Sequence, residues 1–227
     1  MTRENYKTIE NHMLSLMQDS AHDKEHIYRV LYAALDIARH EKDANTDILI
    51  TACLLHDIGR DKQYENPDLC HAQVGSEMAY EYLLKIKWSA ANAAHVRDCI
   101  STHRFRGDNI PQSIEAKILF DADKLDASGT MGIARTLLYE GKVSEPLYLL
   151  DSDQNIITEG GGKEPSSFFQ EYNYKLKKVY VNFYTERAKT IAASRQKTAT
   201  DFYNKLYKEI DENYKTGLSN LLTLLID

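Results

Sequence analysis

The sequence sets ionisable residues into apolar stretches at three places. These are His26 in "EHIYRVLYAALDIARH", the adjacent His56 and Asp57 in "TACLLHDIGRDK", and Asp121, Asp123 and Asp126 in "FDADKLDA". A lone buried charge is costly, and it becomes tolerable when it is paired, hydrogen-bonded or shared with a cation. Two imidazoles and two carboxylates form a mixed nitrogen and oxygen donor set suited to Mn²⁺, Fe, Co²⁺, Ni²⁺ or Zn²⁺, less so to Ca²⁺, with positions left for water. Each residue alone has a plainer explanation. His26 fits a helix start, His56 a satisfied core histidine, and an acidic cluster a solvated face. Taken together, with His56 and Asp57 adjacent at the end of an apolar helix, they move the balance toward a metal site.

The elements that must hold these groups read as helices throughout. Only four prolines and ten glycines interrupt the chain, and apolar residues recur at three-and-four spacing. Ile27, Val30, Leu31, Ala34, Leu35 and Ala38 form one face of an amphipathic helix with His26 in its first turn. The next helix starts near Asn45 or Thr46, either of which could cap it, and runs to His56. Its end is apolar nearly all round, which predicts a helix in the middle of the fold, with Gly59 as its natural termination. Further helices are expected over about 73–86, 89–102 and 113–127. From about Gly141 the periodicity fails and three consecutive glycines follow, so a long loop is expected over about 141–167, with Val143 to Ser167 as a candidate lid. Phe169, Tyr172, Leu176, Val179 and Phe183 then repeat at helical spacing and predict one or two long helices reaching about residue 225.

Composition narrows the function. The chain has 227 residues and 43% hydrophobic content, enough for a sizeable core in a single domain with an extension. A net charge of −6 argues against wrapping extended nucleic acid, while leaving room for a local basic pocket. No apolar run approaches the ~20 residues of a membrane span and no secretory signal is evident, so the cytoplasm is the expected location. The three cysteines, Cys53, Cys70 and Cys99, are odd in number and lack a CxxC pair, which indicates neither a disulfide framework nor a zinc-thiolate site. "EGGGKE" lacks the spacing of a phosphate loop, and the aromatic spacing of "QEYNYKLKKVYVNFY" points to packing rather than base stacking.

Taken in order, "HDKEHIYRV", "LLHDIGRDK" and "FDADKLDA" resemble the His, His-Asp and Asp motifs of the HD-domain phosphohydrolase superfamily. The motifs cover about residues 20–135, and the C-terminal region is similar to that of small bacterial HD hydrolases with nucleotide pyrophosphohydrolase activity. The resemblance implies an all-α fold, an HD-domain helical bundle with a long C-terminal helical extension. It implies a divalent metal, Mn²⁺ first, with Mg²⁺, Fe, Co²⁺, Ni²⁺ or Zn²⁺ as alternatives, held by His26, His56, Asp57 and Asp123. Spacing alone does not choose among the three aspartates of "FDADKLDA"; the family pattern selects Asp123 and leaves Asp121 and Asp126 as ion-pair or supporting partners.

The neighbours suggest further roles. Lys124 matches a lysine that touches phosphate in the related triphosphohydrolases, and Arg60 and Lys62 could also reach a phosphate. Asp61 could orient or deprotonate water. His71 and His103 stand where binuclear relatives such as the HD-GYP phosphodiesterases carry extra metal ligands. "THR" replaces the two histidines and glutamate of those enzymes, so the two are read as groups touching water or phosphate, with Arg104 and Arg106 as anion binders. The expected activity is hydrolysis of a small phosphorylated substrate, a nucleotide first, with triphosphate to monophosphate plus pyrophosphate as the reaction to test. The competing expectation is a non-catalytic metal-binding or ligand-sensing HD module. The C-terminal helix would suit either a homodimer or a monomer.

Overall fold

The structure, a computed structural model, describes residues 1–16, 24–104, 109–160 and 166–225. Arg106, His22 and residues 161–165 of the expected loop lie outside that set. Among the described residues the chain is helical, and its one extended pairing is an isolated bridge between Leu150 and Ile156. No helix among them is long and apolar enough to cross a membrane. The chain divides into two units, Met1–Asp126 with Phe183–Lys189, and Ala127–Asn182 with Thr190–Asp227.

The first unit is built from α1 (Arg3–Leu16), α2 (Lys24–Ala38), α3 (Thr46–Leu55), α4 (Arg60–Glu65), α5 (His71–Lys85), α6 (Ala90–Ser101) and α7 (Ile114–Asp126). The central position predicted for the apolar helix is found: α3 packs on α1, α2, α5, α6 and α7. That is why it is apolar nearly all round, with Ile48, Leu49, Ala52, Cys53, Leu54 and Leu55 all buried. Burial of each large side chain contributes about 1.5–3 kcal/mol, so Leu54→Ala would cost about 2–5 kcal/mol.

Asn45 caps α3, its side-chain oxygen accepting from the Asp47 and Ile48 amides at 3.0 and 3.2 Å. The buried Glu115 of α7 accepts from the Asn45 amide at 2.6 Å, which ties the cap to α7. Ser89 caps α6 in the same way, accepting from the Asn92 amide at 3.2 Å.

Gly59 departs from the sequence expectation. Its φ of −87° and ψ of 0° are ordinary right-handed values, so it does not end α3 by a left-handed turn. Glycine is required there for closeness: a Cβ would meet the His71 carbonyl oxygen and lie 2.5 Å from the Gly75 amide nitrogen. The turn after the His-Asp pair thus lies backbone to backbone against α5.

The second unit contains α8 (Gly129–Lys142), α9 (Phe168–Tyr174), a single 3-10 turn at Leu176–Lys178 and most of α10 (Glu186–Leu224). Phe168, Phe169, Tyr172 and Leu176 bury with Ile133 and Ile156, and Tyr203 stacks on Tyr172 with ring centroids 4.3 Å apart. The aromatic spacing therefore reports core packing here, but it does not report one continuous helix. Lys175 leaves helical geometry at φ −125°, and Asn182 takes a positive φ of 61°. Phe183 belongs to the first unit instead, so one apolar period serves two separate cores. The expected loop carries a tight turn, in which Asp151 Oδ1 accepts from the Asp153 and Asn155 amides at 2.9 and 2.8 Å.

Candidate metal centre

Five helix segments deliver polar groups to one buried place in the first unit. His26 lies in the first turn of α2, His56 and Asp57 follow the last residue of α3, and His71 opens α5. His103 follows α6, and Asp123 lies within α7. His56 and His103 are set by the same local device. Each comes just beyond a helix end and donates its Nδ1–H to the carbonyl three residues back, Cys53 O at 2.8 Å and Ile100 O at 2.6 Å. A carbonyl only accepts, so Nδ1 carries the proton and Nε2 points inward.

The inward atoms converge. His26 Nε2 lies 3.3 Å from His56 Nε2, 3.2 Å from Asp123 Oδ1 and 3.4 Å from Asp57 Oδ2. His56 Nε2 lies 3.5 Å from Asp57 Oδ2 and 3.9 Å from Asp123 Oδ1. On its other side, Asp57 Oδ1 lies 3.4 Å from His71 Nε2 and 3.6 Å from His103 Nε2. Asp57 thus divides its two oxygens between two groups of donors, His26 with His56 and Asp123, and His71 with His103.

Burial sets the protonation states. It pushes His56 down to about 4 and His71 down to about 3, against the pull of Asp57, so both rings are neutral at pH 7. Burial also opposes the charge on His26, but the hydrogen-bonded carboxylates of Asp123, Asp126 and Asp57 outweigh it and push that ring up to about 11. Burial works to raise Asp57, and His56, His103, His26 and Arg60 together hold its carboxyl well below the usual range.

These residues fit a divalent cation. Asp57 Oδ1, His71 Nε2 and His103 Nε2 are buried without hydrogen-bond partners, a costly arrangement for three acceptor or donor atoms facing one another. The donor separations match those around a cation, since bonds of about 2.0–2.3 Å place neighbouring ligands about 3–3.7 Å apart. Either His26, His56 and Asp123, or Asp57, His71 and His103, could hold an ion, and each set joins imidazole nitrogen to carboxylate oxygen, a combination suited to Mn²⁺, Fe, Co²⁺, Ni²⁺ or Zn²⁺.

The remaining expected residues divide. Arg60 Nε donates to Asp57 Oδ2, and Arg104 Nη1 lies 3.2 Å from His71 Nδ1, so both arginines reach the site. Lys62 instead pairs with Glu65 at 2.9 Å on the exposed side of α4, and Asp61 is half-buried in the first turn of that helix. Lys124 sets its Nζ over the rings of Phe120 and Phe183, at 5.2 and 5.1 Å.

The other two aspartates of α7 have separate tasks. Asp121 accepts from the Tyr184 and Thr185 amides and from the Thr185 hydroxyl, at 3.0, 2.8 and 2.7 Å, just ahead of α10. Asp126 accepts from His26 Nδ1 and from Arg29. Sequence reasoning passed over Arg29 and Gln63, whose Oε1 accepts from His71 Nδ1. Helical spacing was the available signal, since Arg29 is one turn from His26 and Gln63 one turn from Arg60.

Comparison with known proteins identifies the family. The HD domain family model matches residues 24–128, the stretch that supplies all of these donors. The uncharacterized protein YpgQ of Bacillus subtilis (strain 168) is 31% identical over 197 residues, covering 85% of this chain and 86% of its own. The crystal structure of YpgQ in complex with ADP has a TM-score of 0.70 at 25% identity, covering 91% of this chain and 95% of that one. That of a predicted HD superfamily hydrolase from an uncultured Thermotogales bacterium has a TM-score of 0.60 at 27% identity, covering 91% and 92%. Motifs that converge in space, a family model across the helices bearing them and a relative aligned along most of both chains lead to one conclusion: this chain belongs to the HD domain family.

Proposed function

We propose that this protein is a metal-dependent phosphohydrolase acting on a small phosphorylated molecule, with nucleotides as the substrate class. The observation that carries this reading is the convergence of His26, His56, Asp57 and Asp123, whose imidazole nitrogens lie 3.2–3.9 Å from the facing carboxylate oxygens, with arginines at the edge of the site. Those four residues would hold the cation, Mn²⁺ first. When bound, it supplies Lewis acidity toward a phosphoryl oxygen and lowers the pKa of water.

The chain's own groups account for the rest. Arg60 uses Nε to hold Asp57, which leaves the terminal N–H groups of its fork to donate to a phosphate oxygen. Arg104, with Nη1 3.2 Å from His71 Nδ1, brings a second guanidinium to the site. The neutral Nε2 of His71 can accept a hydrogen bond from attacking water and orient it, and His103 Nε2 faces the same carboxylate oxygen from the opposite ring. Lys62 contributes less, because it is engaged with Glu65. The ADP bound to the YpgQ crystal structure supports a nucleotide as the ligand class. Cleavage of a (deoxy)nucleoside triphosphate to monophosphate and pyrophosphate is the specific reaction proposed.

The test is an assay of purified protein with Mn²⁺, Mg²⁺, Co²⁺ or Ni²⁺ against a nucleotide panel, following phosphate and pyrophosphate separately. Pyrophosphate release from triphosphates is expected. Metal binding without turnover on any substrate would favour a metal-binding or ligand-sensing module instead.

A further inference from the structure

His26 differs from the other three site histidines in what holds its Nδ1. Cys53 O, Ile100 O and Gln63 Oε1 are neutral acceptors for His56, His103 and His71. For His26 the acceptor is a carboxylate, Asp126 Oδ2 at 2.7 Å. That carboxylate is itself gripped by Arg29, with Nε 2.7 Å from Oδ1 and Nη2 3.2 Å from Oδ2. Asp126 is only 6% exposed, so the three groups form a charge-assisted chain with little competition from water.

Helix geometry makes the arrangement rigid. His26 and Arg29 lie one turn apart on α2 and meet the same carboxylate, and Asp123 and Asp126 lie one turn apart on α7 and meet opposite sides of one imidazole. Asp126 takes Nδ1, and Asp123 Oδ1 faces Nε2 at 3.2 Å. A ring held only at Nδ1 by a mobile carboxylate could swing about its χ angles; the Arg29 fork removes that freedom.

We propose that Asp126 and Arg29 act together as positioning residues for His26, fixing the ring plane so that Nε2 is directed at the centre bounded by Asp57, Asp123 and His56. The pair also makes that nitrogen a stronger donor, because a carboxylate accepting from Nδ1–H returns electron density to the ring. The inference rests on the metal-dependent reading of the site and extends it to two residues that touch neither cation nor substrate.

The test uses full-length protein. Mn²⁺ affinity is measured by titration calorimetry, and the downfield His26 Nδ1–H proton is followed by NMR in metal-free protein. Asp126→Ala is expected to raise the Mn²⁺ Kd about 10–100-fold and to abolish the proton signal. Asp126→Asn, which keeps an acceptor without the charge, and Arg29→Gln should give smaller losses with the signal broadened; these two carry the test if the alanine variant does not fold. Asp121→Asn is the control, since it perturbs a buried carboxylate of the same helix and should lower Tm without changing Kd. Wild-type Mn²⁺ affinity in the Asp126 and Arg29 variants would overturn the proposal, as would an equal loss in the Asp121 control. Absence of Mn²⁺ binding by the wild type would overturn the metal reading, while the proton signal would still decide whether Asp126 holds the ring.

Discussion

Asp57 Oδ1 and His71 Nε2 face each other at 3.4 Å, and both are buried without a hydrogen-bond partner. A neutral imidazole nitrogen and a carboxylate oxygen both present lone pairs, so their approach is stable only with a positive charge between or beside them. Asp57 faces His26 and His56 with Oδ2 and His71 and His103 with Oδ1, so it serves both donor groups, whereas His71 belongs to one. Asp57→Ala is therefore expected to abolish Mn²⁺ binding and turnover together. His71→Ala should retain an ion at His26, His56, Asp57 and Asp123 while losing at least about 10²-fold in rate. Calorimetry beside the nucleotide assay separates the two outcomes, and equal Mn²⁺ affinity of Asp57→Ala and wild type would refute the ligand assignment.

Asp121 has a structural task that its neighbours on α7 do not share. Its carboxylate satisfies the Tyr184 and Thr185 amides at the start of the α10 segment. Asp121→Ala leaves those donors unsatisfied and is expected to cost about 2–4 kcal/mol. Thermal unfolding should show a lowered Tm, while Mn²⁺ occupancy persists. Loss of metal with an unchanged Tm would reverse the roles assigned to Asp121 and Asp123.

The turn behind the His-Asp pair tolerates no side chain. A Cβ at residue 59 would lie 2.5 Å from the Gly75 amide nitrogen and 2.9 Å from its Cα. Both are backbone atoms that cannot rotate away. Gly59→Ala should destabilise by about 2–3 kcal/mol and shift Asp57 and His71 relative to one another. Urea unfolding reads the first effect, and a weakened Mn²⁺ affinity in the folded fraction reads the second.

In the second unit, Glu140 is 3% exposed and neither of its carboxylate oxygens has a hydrogen-bond partner. Burial, with Glu145 and Glu171 adding repulsion, pushes its pKa from 4.5 up to about 7. Between those values the folded state binds more protons than the unfolded state, so this group's contribution falls as pH rises through the window. Glu140→Gln is expected to be more stable than wild type by about 1–3 kcal/mol at pH 8, with the gap closing near pH 4.5. Denaturant midpoints across that range would show it, and a gap independent of pH would argue against a titrating Glu140.

Much of this site was legible in the chain before any coordinates. The apolar run ending in His56 and Asp57 marked a buried helix end, and α3 is surrounded as that pattern requires. Period and caps located α2, α3, α5, α6 and α7, because amphipathic faces and side-chain caps are local chemistry. The C-terminal aromatics were less transparent. Tyr172 and Phe183 share a helical period, yet they enter cores of different units. Periodicity records that residues are buried and cannot record against what.

The sequence by itself determined the donor types, their order along the chain and the helices that carry them. Only the tertiary structure decided what each donor meets. Asp121, Asp123 and Asp126 lie within six residues of one helix, yet one holds the start of the α10 segment, one faces His26 Nε2 in the candidate metal centre and one grips His26 with Arg29. Helical geometry sets the direction in which each carboxylate leaves α7. The partner standing in that direction comes from α2 or from residues 184–185, placed there by packing across 60 to 100 residues of chain, and no local spacing encodes that.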